Sequence, residues 1–160
     1  MIIKQKRWAQ APILIGWREW CALPNLGIPA IKAKIDTGAR TSAIHAFDIV
    51  RTKRHGKDCV KFGLHPLQAN DKVSIECSAI LLDMRDVMSS NGHIEHRYVI
   101  NTLLQIGPYE WDIELTLSNR DPLRYRLLLG REALKGRVLI DPAHSLRTRK
   151  ISRTEQQRLY

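Results

Sequence analysis

The stretch Ile31 to Ala46, IKAKIDTGARTSAIHA, constrains this chain more than any other. Apolar residues at every second position, Ile31, Ala33 and Ile35, mark a strand with one buried face. That strand runs into Asp36-Thr37-Gly38, where the chain must turn. A carboxylate at the end of a buried strand is costly unless it is hydrogen-bonded or put to use. Gly38 lets the backbone approach the carboxylate, so main-chain N–H groups can hold it. Thr37 supplies a hydroxyl and a β-branched shape suited to a strand end. Taken alone the tripeptide is a weak signal and its plainer reading leads: Asp36 starts a turn and caps the short segment after it.

The 160 residues are most simply one domain, large enough to bury a core. The formal net charge of +10 favours an acidic partner or substrate, and nucleic acid and an acidic polypeptide fit it equally well. The three cysteines, Cys21, Cys59 and Cys77, are far apart and form no Cys-x-x-Cys pair. Neither a zinc knuckle nor a disulfide scaffold is supported, and free thiols in a reducing cytoplasm are expected. No apolar run approaches the roughly 20 residues that span a bilayer. Ala11 to Trp17 is too short, and too soon followed by charge, for a signal peptide. A cytoplasmic protein without a membrane partner is expected.

In chain order, a basic N-terminal segment (1–12) precedes a strand over Ile13 to Leu23, anchored by Trp17 and Trp20. Pro24 to Gly27 turns the chain into the strand Ile28 to Ile35, the second arm of a hairpin. Thr41 to Ala46 leads away from the Asp36 turn. Phe47 to Val50 and Asp58 to Leu64 read as strands flanking a basic loop, Arg51 to Lys57. Val73 to Leu82 is a further strand. Ser89-Ser90-Asn91-Gly92 is the strongest turn signal, because Asn and Gly both tolerate positive φ. Tyr98 to Ile106, Trp111 to Leu117 and Leu123 to Leu129 are strands, with a turn at Asn119-Arg120-Asp121-Pro122 between the last two. Arg131 to Leu134 is a short helix stopping at Gly136, and Val138 to Ile140 is a last strand. Arg147 to Tyr160 shows no convincing apolar face and reads as a basic tail. The whole is all-β with one short helix.

An apolar strand ending in Asp36-Thr37-Gly38-Ala39, paired with Leu127-Leu128-Leu129-Gly130-Arg131, resembles retropepsin-like aspartic proteases. The likeness is closer to the bacterial RimB-like family, historically labelled ATP-dependent zinc proteases. Its marks here are Asp36 to Ala46, Ser89 to Gly92, Arg97-Tyr98-Val99-Ile100, Glu114 to Arg120, Leu128 to Leu134 and Asp141-Pro142. They fall in the family's order over residues 13–146, and with them the plainer reading of Asp36 recedes.

The resemblance implies a closed β-barrel-like half-lobe, 13–146, with a C-terminal tail at 147–160, active as a homodimer. Each chain would give one Asp36 to a catalytic dyad. Thr37 would brace the partner loop, Gly38 and Ala39 would shape the site, and Gly130 would cross beneath the loop. Two segments compete for a flap: Ser89, Ser90, Asn91 and Gly92, or the loop Arg51 to Lys57. Family members are linked to ATP-grasp ligases that add glutamates to the C-terminus of a ribosomal protein, and the implied substrate is such an acidic tail. Arg40, His45, Arg97, Arg120 and Arg131 are the candidate carboxylate binders, arginine because it binds bidentately. Arg131 is equally an interface salt bridge, Arg120 a turn residue and His45 a core or cap histidine.

The zinc label finds little support in the residues. A zincin needs His-Glu-x-x-His on one helix face. The chain has His93-Ile94-Glu95-His96 in an extended arm, where the two histidines point to opposite faces. With no Gly-x-x-x-x-Gly-Lys loop either, no cofactor is expected, and any ATP use would belong to a partner. Two other readings stand beside the peptidase: a basic RNA- or ribosome-binding module without catalysis, and a zinc-dependent peptidase. Against the module, aromatics make up only 6% of the chain.

Overall fold

The computed structural model describes residues 11–89, 91–119 and 124–160; Ser90, Arg120, the Asp121-Pro122 part of the expected turn and the first ten residues lie outside it. Eleven strands are described: β1 (Ile13–Gly16), β2 (Arg18–Leu23), β3 (Ile28–Asp36), β4 (Ser42–His45), β5 (Phe47–Arg54), β6 (Lys57–Leu64), β7 (Ile75–Met88), β8 (Ile94–Ile106), β9 (Tyr109–Ser118), β10 (Leu127–Gly130) and β11 (Val138–Asp141). Two helices join them, α1 (Arg131–Leu134) and α2 (Arg153–Leu159).

Nine strands form one sheet in the order β2-β3-β10-β4-β9-β8-β7-β6-β5, and β1 pairs with β11 in a small parallel sheet. The alternation that marked β3 holds: Ile31, Ala33 and Ile35 are buried, with Lys34 exposed between them. They pack with Leu127 and Leu129 of β10, Ile44 of β4, Ile113, Leu115 and Leu117 of β9, and Ile100, Leu104 and Ile106 of β8. Trp111 closes one end of this core, its indole N–H donating to the Ala133 carbonyl at 2.8 Å. The three thiols are free and buried, and burial raises those of Cys21 and Cys77, the latter to about 11. Cys21 and Cys77 are therefore poor nucleophiles.

The mostly β architecture is the expected one, but the barrel does not close along a full ladder. The ends of the six-stranded run β2-β3-β10-β4-β9-β8 meet at a single residue pair, Ala22 with Gln105. The expected strand Ile13 to Leu23 breaks at Trp17. A Cβ on Gly16 would stand 2.4 Å from the His144 carbonyl oxygen, and Trp17 donates to that same carbonyl, so the chain leaves one sheet there and enters another. The basic stretch Arg51 to Lys57 is mostly strand; only His55 and Gly56, both at positive φ, make the turn. This is the two-residue hairpin geometry, and none of residues 51–57 lines the cleft beside Asp36.

Residues 147–160 also pack against the domain. Ile151 is buried with Trp20 and Ala30, Leu159 lies against that group, and the Tyr160 hydroxyl bonds the Ala30 backbone. The carboxylate of Glu19, wholly buried, accepts from the N–H groups of Gly16, Arg147 and Thr148 and from the Thr148 hydroxyl. Here a second helix forms. Ser152 caps α2 by accepting from the Glu155 N–H, and Ser152-x-x-Glu155 is the capping-box spacing that marks it in the sequence.

Candidate active site

The site is built where β10 passes between β3 and β4. Those two strands are joined by residues 37–41, yet they do not pair; β10 lies between them, parallel to β3 and antiparallel to β4. In this register Gly130 stands opposite Asp36. A Cβ on Gly130 would meet the Thr41 carbonyl carbon at 2.7 Å and the carbonyl oxygens of Thr41 and Ala39 at 2.8 and 2.9 Å. Only a residue without a side chain fits beneath the loop. The Gly130 N–H donates to the buried Ser42 hydroxyl at 3.1 Å. The next two N–H groups, of Arg131 and Glu132, donate to the carbonyls of Ala39 and Arg40 at 2.9 and 3.1 Å. The Asp36 loop is thus stitched by backbone to the start of α1.

Asp36 ends β3 half-buried, while Thr37, Gly38 and Arg40 are exposed. The turn closes through the Ala39 N–H on the Asp36 backbone carbonyl, at 3.2 Å. The expectation that main-chain N–H groups hold the Asp36 side chain is not met: among the described residues none donates to its carboxylate. The loop's bonds go elsewhere: the Ala39 N–H closes the turn, and the Ala39 and Arg40 carbonyls accept from the first two residues of α1. Gly38 still stands close, and a Cβ there would lie 3.3 Å from Asp36 Oδ1.

Asp36 opens onto a cleft of about 1290 Å³. Residues 38–43 line one side and residues 85–89 of the β7–β8 hairpin another, with Arg97 and Asn101 of β8, Asp112 to Glu114 of β9, Leu128 of β10 and the first residues of α1 between them. Both hairpin arms are longer than the apolar alternation indicated. β7 continues six residues past Leu82, and β8 begins four residues before Tyr98. At the tip Ser89 donates to the His93 carbonyl at 2.8 Å, and Gly92 takes a φ of 82°. Asn91 and Gly92 are exposed beyond the cleft; Ser89 lines it.

The cations divide into distinct classes. Arg131 donates to the Thr37 and Gly38 carbonyls at 3.5 and 3.2 Å, so it braces the loop. Arg97, only 10% exposed, pairs with Glu95 at 2.8 Å and reaches the Thr116 hydroxyl at 3.5 Å. Arg40 lines the cleft and makes no hydrogen bond or ion pair with the described residues. His45 lies at the far end of β4, its ring parallel to that of His65, which in turn stacks on Phe47. The structure therefore separates His45 from the cleft. Arg85 lines the cleft too and was not singled out in the sequence. Its guanidinium holds Glu114 bidentately at 2.5 and 3.2 Å and Asp83 at 2.9 Å. Those pairs raise the Arg85 pKa and hold the carboxyls of Glu114 and Asp83 below their ordinary range.

No group of three His, Cys, Asp or Glu among the described residues stands close enough to hold a metal ion. His96 is committed to Asp86 across the hairpin at 2.7 Å. The donor set does not fit the zinc that the older family label implies. No helix among the described residues is long and apolar enough to cross a membrane.

The sequence pattern of the RimB-like family, described as retropepsin-like aspartic endopeptidase RimB, matches residues 14–150. A Shewanella halifaxensis protein named probable alpha-L-glutamate ligase is 49% identical over 92% of this chain, which spans 32% of that protein. A Parasynechococcus marenigrum protein of the same name is 50% identical over 83% of this chain and 28% of its own length. The chain thus spans about a third of these curated relatives. The crystal structure of a Legionella pneumophila protein of unknown function superposes with a TM-score of 0.73 at 23% identity, covering 86% of this chain and 99% of that one. That likeness shows a shared fold. With the family pattern running through nearly the whole of the fold just described, the chain belongs to the RimB-like, retropepsin-like aspartic endopeptidase family.

Proposed function

We propose that this chain is one half of an aspartic peptidase that hydrolyses peptide bonds in acidic, glutamate-rich tails. The observation that carries the reading is the placement of Asp36: a half-buried carboxylate on a backbone-fixed loop, open to a cleft that a long hairpin flanks. One carboxylate cannot both activate water and protonate a carbonyl. The exposed loop carrying Thr37 and Gly38 suits a second copy whose Asp36 approaches across a two-fold axis. Two carboxylates about 3 Å apart cannot both ionise, so they share one proton and titrate as a unit. The ionised member removes a proton from water as its oxygen attacks the scissile carbonyl, and the protonated member donates to that carbonyl's oxygen. Collapse of the tetrahedral intermediate breaks the C–N bond, with a proton passing to the leaving amine.

Glutamate-rich substrates are supported by the net charge of +10 and by relatives named as glutamate ligases, which make a ligase a fitting functional partner. A glutamylated ribosomal protein would be one such substrate. The test is hydrolysis of a peptide with a C-terminal oligoglutamate tail by wild type and Asp36→Asn together. Cleavage by wild type alone, with a loss of at least about 10³-fold in the variant, supports the reading. Equal cleavage removes Asp36 from the chemistry. Sedimentation tests the dimer, and a strictly monomeric, fully active chain sinks it.

One observation favours a second reading, an RNA-binding module. The β5–β6 turn presents Lys53, Arg54 and Lys57 without ion-pair partners among the described residues, while Arg51 pairs with Asp58. RNA binding that falls steeply with salt and persists in Asp36→Asn would support it.

A further inference from the structure

The overall charge of +10 does not reach the cleft. Among its described lining residues four arginines (Arg40, Arg85, Arg97, Arg131) face five carboxylates (Asp36, Asp86, Asp112, Glu114, Glu132). An acidic substrate is therefore not drawn in by a positive cavity; it needs arginines that can give up or lack a partner. Arg97 and Arg131 are unsuitable. The first is buried against Glu95 and Thr116, and the second holds loop carbonyls that position Asp36. Arg40 has no partner among the described residues. Arg85 has one that is easily displaced: its side chain is 34% exposed and that of Glu114 46%.

We infer that Arg85, assisted by Arg40, is a subsite that reads a substrate carboxylate, and that Glu114 holds that place until a substrate glutamate displaces it. This deepens the proposed function and rests on its acidic substrate. Glu114 presents to Arg85 what a glutamyl side chain of the substrate would present, two oxygens on two guanidinium nitrogens. The exchange replaces one carboxylate with another of the same chemistry. An exposed ion pair contributes little to stability, so opening it is inexpensive. Arg40 acts on the same spot: after Arg85 it is among the charges that hold the Glu114 carboxyl below its ordinary range, and it acts likewise on Glu132. Arg85 stays attached to Asp83 through Nε while Nη1 and Nη2 change partner, so the guanidinium keeps its aim.

The experiment measures binding of a hexaglutamate peptide, and of hexaglutamine, to the full chain carrying Asp36→Asn, so that turnover does not intervene. Glu114→Gln removes the competitor and is expected to tighten hexaglutamate about fivefold. Arg85→Gln weakens it about tenfold or more, the scale of a charged hydrogen-bonded contact. Arg40→Gln weakens it less, and Arg85→Lys falls between because it keeps charge but loses the fork. The preference for hexaglutamate over hexaglutamine falls in step, a readout that a merely structural Arg85 does not move. Unchanged affinity in Arg85→Gln, or no tightening in Glu114→Gln, overturns the subsite while an acidic substrate survives. If hexaglutamate binds no better than hexaglutamine even in the chain with Arg85 and Glu114 intact, the acidic-substrate reading falls, and this one with it.

Discussion

The two walls of the cleft are made in opposite ways. The crossing of β10 between β3 and β4 is fixed by backbone: Gly130 is pressed against loop carbonyls, and three successive N–H groups tie it to Ser42, Ala39 and Arg40. The β7–β8 hairpin is held near its tip by side chains, through Arg85 with Glu114 and Asp83 and through His96 with Asp86, all partly or wholly exposed. Met88 and Ile94, beside the tip, are 69% and 67% exposed, so little apolar packing holds that end. One wall fixes by backbone hydrogen bonds the loop that carries Asp36. The other is tied near its tip by exposed ion pairs and has little apolar packing, the kind of end that opens at low cost.

The largest effect that would break this contrast is expected at Gly130. Gly130→Ala places a methyl group within 2.7–2.9 Å of backbone atoms of Thr41 and Ala39, and the Ala39 carbonyl is already held by the Arg131 N–H. A loss of about 3 kcal/mol follows, roughly 10 °C in Tm for a chain of this size, measured by thermal unfolding. An unchanged Tm would mean that the crossing is loose. Ser42→Ala ranks next. It leaves the buried Gly130 N–H without its acceptor, at a cost of about 1–3 kcal/mol, and chemical denaturation reads this directly.

On the hairpin side the same kind of change should barely register in stability. Gly92 has φ 82° and open space where a Cβ would stand, so Gly92→Ala costs about 1 kcal/mol of local backbone strain at the tip. If the hairpin covers substrate, its signature is a raised KM in the oligoglutamate assay with Tm nearly unchanged. A drop in Tm as large as that of Gly130→Ala would show the hairpin to be part of the rigid frame instead.

The same contrast explains what could be read in the sequence. The strand into Asp36 was legible from the alternation of Ile31, Ala33 and Ile35, while the crossing of Leu127 to Gly130 beneath the loop was implied only by the family resemblance. The part of Ser42 in it was not legible, because a serine in a strand carries no mark that it will accept from a residue 88 positions away. The hairpin was seen only at Asn91-Gly92. Its arms were cut short at Leu82 and Tyr98, since Asp83, Arg85, Asp86, Glu95, His96 and Arg97 give both faces polar residues and erase the period-two signal. Arg85 and Glu114 lie 29 residues apart and acquire meaning only when β7, β8 and β9 are side by side. The break at Gly16 likewise depends on His144, which sequence proximity does not reveal.

The smallest expected effect is the hairpin's response to acid, and it sharpens the comparison because the bonds that fix the β10 crossing are from backbone N–H groups. Glu114 and Asp83 have folded-state pKa values depressed by Arg85, below their ordinary values of 4.5 and 3.8. Their contribution is therefore fully present above those ordinary values and is lost as pH falls through the lower, folded ones. At neutral pH nothing changes. Below about pH 4 the unfolded chain takes up these protons more readily than the folded one, and stability declines. Because the Glu114 side chain is nearly half exposed, solvent screening keeps its share within the range of surface pairs, about 0–1 kcal/mol. Denaturation midpoints of wild type and Arg85→Gln, compared between pH 7 and pH 3, isolate this part: the variant should lose less on acidification. Parallel curves would show that Arg85 holds neither acid in the folded chain. The hairpin would then be kept in place by its backbone ladder alone, and its difference from the crossing would be one of packing, without a share from charge.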